Sequence, residues 1–405
     1  MNSVVIVTGE SSGELYGSLL AKELKRIKPD IQVMGVGGTR MREAGVEIIS
    51  PIAHAFGLIE AFSAYRKIRS AFQKTVQAVC TKKPEVIILI DYPDFNLKLA
   101  QKVKKTGAKV LYYVSPQVWA WRKRRVNKIA RLVDRMAVIL PFEEKIYKDK
   151  GVPSEFVGHP VMEEIQSVLH DEPEATPAVN HLLSREAIDK GVPITRELRS
   201  HYKTLLGLDP ERSLLSLLPG SRPHELDRLM PIMIETVRLF RNTFRNFQFC
   251  LPLAPNTDTT RYGSSIDLLE KERVHIKKGK SVEVLAASDI AVVASGTATL
   301  QAALLEVPMV VVYKLSPITF LLGRLIVDVK HISLVNILSE SEVVRELIQS
   351  MANPGEILNE LSRILNDAGY RETMIAQYRK IREQFSGKRP SERVARIVSE
   401  MAGWE

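Results

Sequence analysis

The chain has 405 residues, more than one hydrophobic core usually serves, so about two domains are expected. Its composition, 45% hydrophobic and 26% charged, is that of a soluble globular protein, and its two cysteines argue against a disulfide framework. The first residues resemble a β-strand and not a signal peptide, and no uncharged apolar run reaches the roughly 18 residues of a membrane span. A cytosolic location is therefore predicted.

The net charge of +10 is unevenly distributed along the chain. Residues 1–150 hold 27 Lys and Arg against 14 Asp and Glu, which is a net charge of +13 and leaves −3 for the remainder. A basic first part favours an anionic partner, which could be nucleic acid, a membrane surface or a phosphorylated substrate.

Strand-like and helix-like segments alternate in both halves of the chain. Apolar runs in the first half predict strands at Ser3–Thr8, Ile31–Val36, Val86–Ile90, Lys109–Val114, Arg135–Leu140 and Glu155–Gly158. Those in the second half predict strands at Ser213–Leu218, Phe247–Leu251, Val274–Ile276, Ile290–Ala294 and Met309–Tyr313. This alternation indicates an α/β protein with two Rossmann-like, doubly wound domains, which bind ligands at the carboxyl ends of their strands.

The predicted domains are residues 1–165 and 206–374, joined by a linker and insertion over 166–205. A polar helical segment at about 375–405 is expected to be able to pack back on the first domain. We expect the two domains to face a central cleft.

Two turns of the second domain suit an anion. Ser295, Gly296 and Thr297 follow a buried strand and open a helix, and Ser221 and Arg222 follow another strand. Backbone N–H groups at a helix start bind phosphates, and arginine binds a diphosphate by charge-assisted hydrogen bonds. Simple helix capping and an exposed arginine on a tight turn are the structural alternatives.

The first domain has two further turns after apolar strands. Gly9–Glu14 resembles a glycine-rich turn but lacks the full dinucleotide fingerprint. Asp91 and Asp94 follow a fully apolar strand, where a partly buried carboxylate can act as a general base. We expect one of the two to cap the next helix and the other, Asp91, to face the cleft.

Two basic segments of the first domain could meet the anionic partner. Tyr112–Arg125 joins aromatic residues to a dense basic cluster, which suits nucleic-acid bases, a lipid phosphate or a solvated helix face. Phe56–Phe72 has apolar residues at near-helical spacing with interspersed cations, as in a helix that lies on an anionic membrane. The alternative is a helix whose apolar stripe faces the core. The residues assigned to the membrane surface are Leu58, Ile59, Phe62, Arg66, Lys67 and Arg69.

Five motifs in order give the chain a specific resemblance. Gly9–Gly13, Asp91–Asn96, Tyr113–Arg122, Leu218–Arg222 and Ala294–Leu300 together closely resemble the lipid-A-disaccharide synthase family. The resemblance extends from about residue 5 to about residue 350. It implies a GT-B glycosyltransferase that joins UDP-2,3-diacylglucosamine to 2,3-diacylglucosamine 1-phosphate (lipid X). It further implies a β-1,6 disaccharide 1-phosphate and UDP as products, and a peripheral protein on the cytoplasmic face of the inner membrane.

The resemblance also implies roles for matching residues. Asp91 matches the essential aspartate and would be the general base that deprotonates the acceptor 6-hydroxyl. The positions implied on the UDP side are Ser221, Arg222, Ser295, Gly296, Thr297, Gln301, Asn336, Glu346 and Gln349. Those implied on the acceptor side are Glu10, Ser12, Gly13, Asn96, Trp121 and Arg122.

The chain departs from the family pattern at several positions. Gln301 stands where Glu is usual, Glu14 where Asp is customary and Val335 where Pro is common, and the stretch around Glu172–Ile194 looks longer than usual. No Asp-x-Asp motif is present to hold a divalent ion, so we expect neither metal nor cofactor, with the UDP charge met by Arg222 and a helix N-terminus.

Two other functions are compatible with parts of the sequence. A UDP-sugar 2-epimerase has the same fold, but a soluble epimerase has no use for a basic amphipathic helix. A nucleic-acid-binding module would suit the basic cluster, but it would not need the turns at Arg222 and Ser295. We therefore expect no nucleic-acid partner. A homodimer is an arrangement that the sequence leaves open.

Overall fold

The computed structural model describes residues 2–52, 58–121, 123–170, 195–255, 257–317, 319–321 and 329–404. Of residues 11, 58–65 and 170 it describes only the backbone. The described residues form two compact units. The first unit contains the residues up to Pro160 and those from Lys388 onwards, and the second contains the described residues from Val161 to Gly387.

The first unit is a seven-stranded parallel sheet flanked by helices. Its strands are β1 (Ser3–Val7), β2 (Gln32–Gly37), β3 (Glu47–Pro51), β4 (Val86–Ile90), β5 (Lys109–Tyr113), β6 (Arg135–Val138) and β7 (Ser154–Phe156), in the order β3-β2-β1-β4-β5-β6-β7. Its helices are α1 (Ser11–Ile27), α2 (Thr39–Glu43), α3 (Leu58–Lys82), α4 (Pro93–Val103), α5 (Arg125–Leu132) and α6 (Glu143–Lys148), with a short 3-10 turn at Lys104–Thr106. Every residue of β1 and β4 is buried, as expected for central strands covered on both faces.

The second unit is a six-stranded parallel sheet with helices on its faces. Its strands are β8 (Ser213–Leu218), β9 (Phe247–Leu253), β10 (Val274–Lys278), β11 (Ile290–Ala294), β12 (Met309–Tyr313) and β13 (Glu346–Ile348), in the order β10-β9-β8-β11-β12-β13. Its described helices are α7 (Val161–His170), α8 (Arg196–Leu205), α9 (Pro223–Thr243), α10 (Gly263–Lys271), α11 (Ser281–Ala287), α12 (Thr297–Leu304), α13 (Leu334–Ser339), α14 (Pro354–Asn366) and α15 (Ala368–Phe385). Both units are therefore α/β and doubly wound, which confirms the predicted fold class.

Two strands were not expected from the sequence. Strands β3 and β13 lie at the ends of their sheets, and each contains a glutamate and only one fully buried residue. Edge strands lack the continuous apolar run of a central strand, because one side of the backbone has no neighbour. Periodicity alone therefore missed β13, which contains Glu346.

The stretch predicted as a linker is partly helical. Helix α7 includes Gln166, and it packs against α11 and α12 of the second unit. Helix α8 packs against α11 through buried Leu198 and Tyr202, and Lys203 donates to Asp289 at 2.8 Å. The division between units falls at Pro160/Val161 where the sequence suggested 165. The expected insertion at 172–194 lies outside the described residues.

The C-terminal segment expected to pack on the first domain is split between the units. Helix α15 packs against α12, α13 and α14 of the second unit, and α16 (Pro390–Ala402) packs against α1, β4 and β5 of the first. Arg393 holds α16 by binding both carboxylate oxygens of Glu155, at 2.5 and 2.8 Å. Such a bidentate pair is among the stronger charge-assisted contacts in proteins. The structure thus begins the returning segment at Lys388 instead of at about residue 375.

Candidate active site

The turn after β4 holds Asp91 at the carboxyl edge of the first sheet. Asp91 is half-buried, whereas Asn96 in α4 is fully buried. The Asn96 amide nitrogen donates to the carbonyl oxygens of Asp91 at 2.7 Å and Ile90 at 3.3 Å. Asn96, implied on the acceptor side, therefore shapes the Asp91 turn from inside the unit.

The second aspartate of this turn does not cap α4. Tyr92, and not an aspartate, occupies the N-cap position of α4, and the Tyr92 side chain makes no cap hydrogen bond. Asp94 lies in the first helical turn, where it forms an ion pair with Arg125. A carboxylate in a first turn is still favoured by the helix dipole, but the capping prediction is wrong.

The glycine turn after β1 packs closely on the Asp91 turn. A Cβ atom at Gly9 would lie 2.2 Å from the Tyr92 ring, and one at Gly13 would touch Thr8 and Ile90 at 3.4 and 3.5 Å. Burial, followed by the nearby Glu10 and Asp94 carboxylates, raises the pKa of Tyr92 above its ordinary value. Glu10 and Ser12 are both half-buried. Because β1 and β4 are neighbouring parallel strands, the turn after β1 lies at the edge of the sheet that carries Asp91.

The segment after β5 is held by a buried carboxylate that sequence reasoning missed. Glu143 accepts hydrogen bonds from Ser115 Oγ at 2.6 Å, Trp119 Nε1 at 3.1 Å and Leu140 N at 3.2 Å. Burial raises the pKa of Glu143 to about 7, although these donors act in the opposite direction. Trp121 is half-buried with the Arg125 guanidinium 5.3 Å from its ring, and Arg122 lies outside the described residues.

The raised pKa of Glu143 predicts a pH-dependent stability. Because the folded-state pKa of about 7 exceeds the ordinary value of 4.5, this group favours the folded state fully below pH 4.5 and loses that contribution as the pH rises through 7. We expect Glu143→Gln to reduce the fall in melting temperature between pH 5 and pH 7.5. Thermal unfolding at both pH values measures this difference, and an unchanged fall in the variant would contradict the assignment.

In the second unit, the turn after β8 presents an arginine at the start of α9. Arg222 has 53% of its side chain exposed, and the backbone N–H groups of Ser221 and Arg222 both donate to the buried Glu225 carboxylate, at 3.0 and 3.1 Å. A Cβ atom at Gly220, where φ is +96°, would lie 2.2 Å from Glu225. Glu225 therefore fixes the turn and also pairs with the half-exposed Arg222 guanidinium, with Oε1 3.6 Å from Nη1.

The turn after β11 opens the N-terminus of α12. Gly296 has φ +152° and lies exposed between Ser295 and Thr297, and a Cβ atom there would meet nothing within 4 Å. Ser295 Oγ donates to the Ile332 carbonyl at 2.9 Å, so its hydroxyl ties this turn to the segment before α13. The open space beside Gly296 suits close approach of an anion to the backbone.

Gln301, the residue in place of the usual glutamate, is bonded within the protein. It is buried in α12, and its amide nitrogen donates to Glu164 of α7 at 2.7 Å. A glutamate at position 301 would instead place two carboxylates within hydrogen-bonding distance. Glutamine in place of glutamate at position 301 therefore provides a hydrogen-bond donor for the Glu164 carboxylate of the same unit.

Gln301→Glu should destabilise the protein more at high pH than at low pH. A second carboxylate beside Glu164 raises the pKa of one of the two, so stability is lost as the pH rises through that value. Loss of a charge-assisted hydrogen bond predicts about 2 kcal/mol at pH 8. Denaturant unfolding at pH 5 and pH 8 measures the effect. The double variant Gln301→Glu/Glu164→Gln restores an amide–carboxylate pair and should recover wild-type behaviour; equal destabilisation in both would refute the pairing.

Asn336 and Glu346 are parts of one buried hydrogen-bond network. Asn336 has no exposed surface; its Nδ2 donates to Val344 O and Glu346 Oε1, both at 2.8 Å, and its Oδ1 accepts from the N–H groups of Val343 and Val344. Glu346 also accepts from Ile332 N, Ser333 N and Ser333 Oγ. The side-chain amide of Asn336, which the resemblance implied on the UDP side, thus makes four hydrogen bonds within the protein.

Gln349 supports the neighbouring strand in the same way. Its side-chain oxygen accepts from Leu315 N at 2.7 Å and its nitrogen donates to Leu315 O at 3.2 Å, immediately beyond β12. Its own φ is +57°, in the left-handed region. Gln349 therefore fixes the segment after β12, at the edge that also carries Arg222 and Ser295.

The helix predicted to meet a membrane is present as α3. Arg66, Lys67 and Arg69 are exposed, while Ile68 and Phe72 pack against the core of the first unit. The side chains of Leu58, Ile59 and Phe62 lie outside the described residues. Across the described helices, none is both long and apolar enough to cross a membrane.

Comparison with known proteins identifies the family. The family model described as Lipid-A-disaccharide synthetase matches residues 4–182 and 189–398. The chain belongs to the lipid-A-disaccharide synthase family. It is 40% identical to the lipid-A-disaccharide synthase of Geobacter metallireducens over 402 residues, covering 99% of this chain and 97% of that protein. It is 39% identical to that of Trichlorobacter lovleyi, covering 98% and 97%. The chain is therefore a glycosyltransferase, as the motifs predicted.

Solved structures share the fold at low identity. The S. aureus MnaA–UDP co-structure matches with a TM-score of 0.66 and 10% identity, over 100% of this chain and 98% of that one. The UDP-GlcNAc 2-epimerase from Neisseria meningitidis bound to UDP-GlcNAc matches with 0.64 and 11%, over all of both chains. These values establish a GT-B-like fold alone. The family match, and not the fold, decides against the epimerase alternative.

Several supporting residues escaped the sequence reasoning. Tyr112, Glu143 and Glu225 each bind a segment that follows a strand, and Glu164 binds Gln301 in α12, yet sequence reasoning assigned none of them an individual role. A weak signal existed for Glu225, since an acidic residue three positions after a helix start is typical of a capping box. For the others, the partner is distant in sequence, so only the folded chain brings the pair together.

Proposed function

We propose that the protein transfers the diacylglucosaminyl group of UDP-2,3-diacylglucosamine to the 6-hydroxyl of lipid X. The products are the β-1,6-linked disaccharide 1-phosphate and UDP. The observation that carries this proposal is the family match, which covers almost the whole chain. The anion-suited turns of the second unit and the carboxylate at the edge of the first sheet support it.

The reaction is a single inverting displacement. The acceptor oxygen attacks C1 of the donor sugar, its proton passes to the Asp91 carboxylate, and the bond from C1 to the diphosphate oxygen breaks as UDP leaves. A general base of this kind contributes roughly 10²- to 10⁴-fold to a rate. Asp91 suits the role because it is half-buried at the carboxyl end of a central strand.

The second unit binds UDP in this proposal. The exposed guanidinium of Arg222 pairs with the diphosphate, and the N–H groups at the start of α12, beside Gly296, bind it from the adjacent strand end. Asn336, Glu346 and Gln349 hold these segments in place. Fixed positive charge stabilises the leaving group, so the reaction needs no metal, and turnover should be the same with and without EDTA.

UDP release tests the central proposal. Purified protein is incubated with UDP-diacylglucosamine and lipid X, and UDP and the disaccharide product are quantified. Both should appear only when both substrates are present. UDP without disaccharide would indicate donor hydrolysis, and no UDP release would refute the proposal.

We also propose that the protein binds the anionic surface of the inner membrane, on the cytoplasmic face, through the basic side of α3. The exposed cations Arg66, Lys67 and Arg69 support this placement, since each cation near an anionic surface contributes about 1 kcal/mol. The proposed acceptor and donor both carry acyl chains that insert into the membrane, so a protein bound to the membrane surface has direct access to both substrates.

Liposome flotation tests the membrane proposal. The triple variant Arg66→Gln/Lys67→Gln/Arg69→Gln should lose binding to vesicles that contain anionic lipid. The matched control replaces three exposed cations of the second unit with glutamine: Arg245, Lys271 and Lys278. Equal loss in both variants would show that net charge, and not α3, drives binding. Light scattering on the purified wild-type protein without vesicles tests for the homodimer.

A further inference from the structure

The Asp91 turn is held in an unfavourable backbone conformation. Asp91 and Tyr92 have φ values of +45° and +46°, and Val114, just beyond β5, has φ +63°. For residues with a Cβ atom the left-handed region costs about 1–2 kcal/mol each, and for a β-branched valine it is a true outlier. Three such residues at the ends of two adjacent strands persist only if the surrounding structure fixes them.

Four hydrogen bonds to the Asp91 backbone provide this restraint. The Asp91 carbonyl oxygen accepts from Tyr112 Oη at 2.6 Å and from Asn96 Nδ2 at 2.7 Å. The Asp91 N–H group lies within hydrogen-bonding distance of the carbonyl oxygens of Tyr113 at 3.3 Å and Val114 at 3.2 Å. The peptide groups on both sides of the Asp91 Cα are thus fixed, so the direction of its Cα–Cβ bond is fixed as well.

The hydrogen bond from the Tyr112 hydroxyl to the Asp91 carbonyl does not depend on pH. The Tyr112 side chain has no exposed surface, and burial, followed by the charge of Asp91, raises its pKa well above the ordinary value for tyrosine. The hydroxyl therefore remains a donor throughout the pH range of an enzyme assay. The Tyr92 ring adds a second restraint, because it lies against Gly9 and stacks on Phe95 with the ring centroids 5.2 Å apart.

We propose that Tyr112 is a positioning residue for the general base: with Asn96 it fixes the Asp91 carbonyl and thereby aims the Asp91 carboxylate. The inference rests on the proposed function, in which Asp91 takes the proton of the acceptor hydroxyl. Removing the Tyr112 hydroxyl relaxes the strained turn and moves the carboxylate, but it leaves the UDP-binding turns of the second unit untouched. A misplacement of about 1 Å in a reacting group can cost about 100-fold in rate.

The test compares Tyr112→Phe with Tyr113→Phe. Both variants remove one phenolic hydroxyl from a fully buried side chain of β5, but successive residues of a strand point to opposite faces, so Tyr113 lies on the other side of the sheet. We expect Tyr112→Phe to lower kcat about 10- to 100-fold with an unchanged KM for the UDP-sugar. Tyr113→Phe retains the backbone carbonyl through which Tyr113 contacts Asp91, so it should keep near wild-type kcat, and thermal unfolding should show that both variants are folded.

Coupling to Asp91 separates positioning from general stability. In an Asp91→Asn background, Tyr112→Phe should cause little further loss of rate, because two residues that act through one group are not additive. Crystal structures of wild type and Tyr112→Phe give a readout that needs no turnover: the variant should have lost the left-handed φ at Asp91. If the wild type releases no UDP, the proposed function fails while this structural comparison still decides the restraint. Unchanged φ, or equal kcat losses in the two tyrosine variants, would overturn the inference.

Discussion

Asp91→Asn is expected to lower kcat about 10²- to 10⁴-fold, the contribution of a positioned general base. Asparagine has the same shape as aspartate and also tolerates the left-handed backbone conformation that Asp91 adopts at φ +45°. The substitution therefore removes the proton acceptor without disturbing the turn. Steady-state UDP release at saturating concentrations of both substrates measures the effect.

The matched control for this variant is Asp94→Asn, three residues further along the same turn. Asp94 is exposed and pairs with Arg125 at the surface, so its neutralisation should cost little stability and little rate. The melting temperatures of both variants should remain close to that of wild type. Full turnover in Asp91→Asn, or a comparable loss in Asp94→Asn, would remove Asp91 from the role of base.

Asn336→Ala is expected to reduce both stability and activity. The substitution leaves the N–H groups of Val343 and Val344 and the carbonyl oxygen of Val344 without the Asn336 side chain as a partner, and it removes one hydrogen bond to Glu346. These groups lie in or beside the core of the second unit. An unsatisfied buried group costs about 1–3 kcal/mol, so we expect a fall of about 2–4 kcal/mol in the free energy of unfolding. Denaturant unfolding measures the stability, and UDP release measures the rate.

Arg222→Ala tests whether a residue acts by contacting the UDP-sugar directly or by supporting the fold around it. The Arg222 guanidinium is half exposed, and its nearest acidic partner, Glu225, keeps its bonds to the backbone when the side chain is removed. We expect this variant to lose activity, with a higher KM for the UDP-sugar, at nearly unchanged stability. If Asn336→Ala instead raised KM at full stability, Asn336 would contact the nucleotide directly and the network assignment would be wrong.

The burial of Asn336 changes how family motifs should be interpreted. Its position in the chain and its resemblance to a residue important for activity implied a place on the UDP side. The structure gives all four of its hydrogen bonds to the protein, and Gln349 binds the Leu315 backbone in the same manner. In the proposed function, Asn336 and Gln349 therefore act by fixing segments of the UDP-binding edge and not by contacting UDP.

The central strands, the two doubly wound sheets and the family were all determined by the sequence. Buried parallel strands such as β4 and β11 must be apolar throughout, and that pattern is local, so it is visible without the fold. The same reasoning placed Asp91, Arg222 and Ser295 at the carboxyl ends of strands, because a turn must follow each strand. The edge strands β3 and β13 escaped because their residues are only partly buried.

Only the tertiary structure decided what each polar side chain binds. Tyr112 meets Asp91 across 21 positions, Glu143 meets Ser115 across 28, and Gln301 meets Glu164 across 137. Such pairs leave no periodic signal, since each depends on how strands and helices from distant parts of the chain pack together. The sequence thus led to Asp91 as the proposed general base, whereas the folded chain identified the buried Tyr112 hydroxyl and Asn96 amide that fix its backbone.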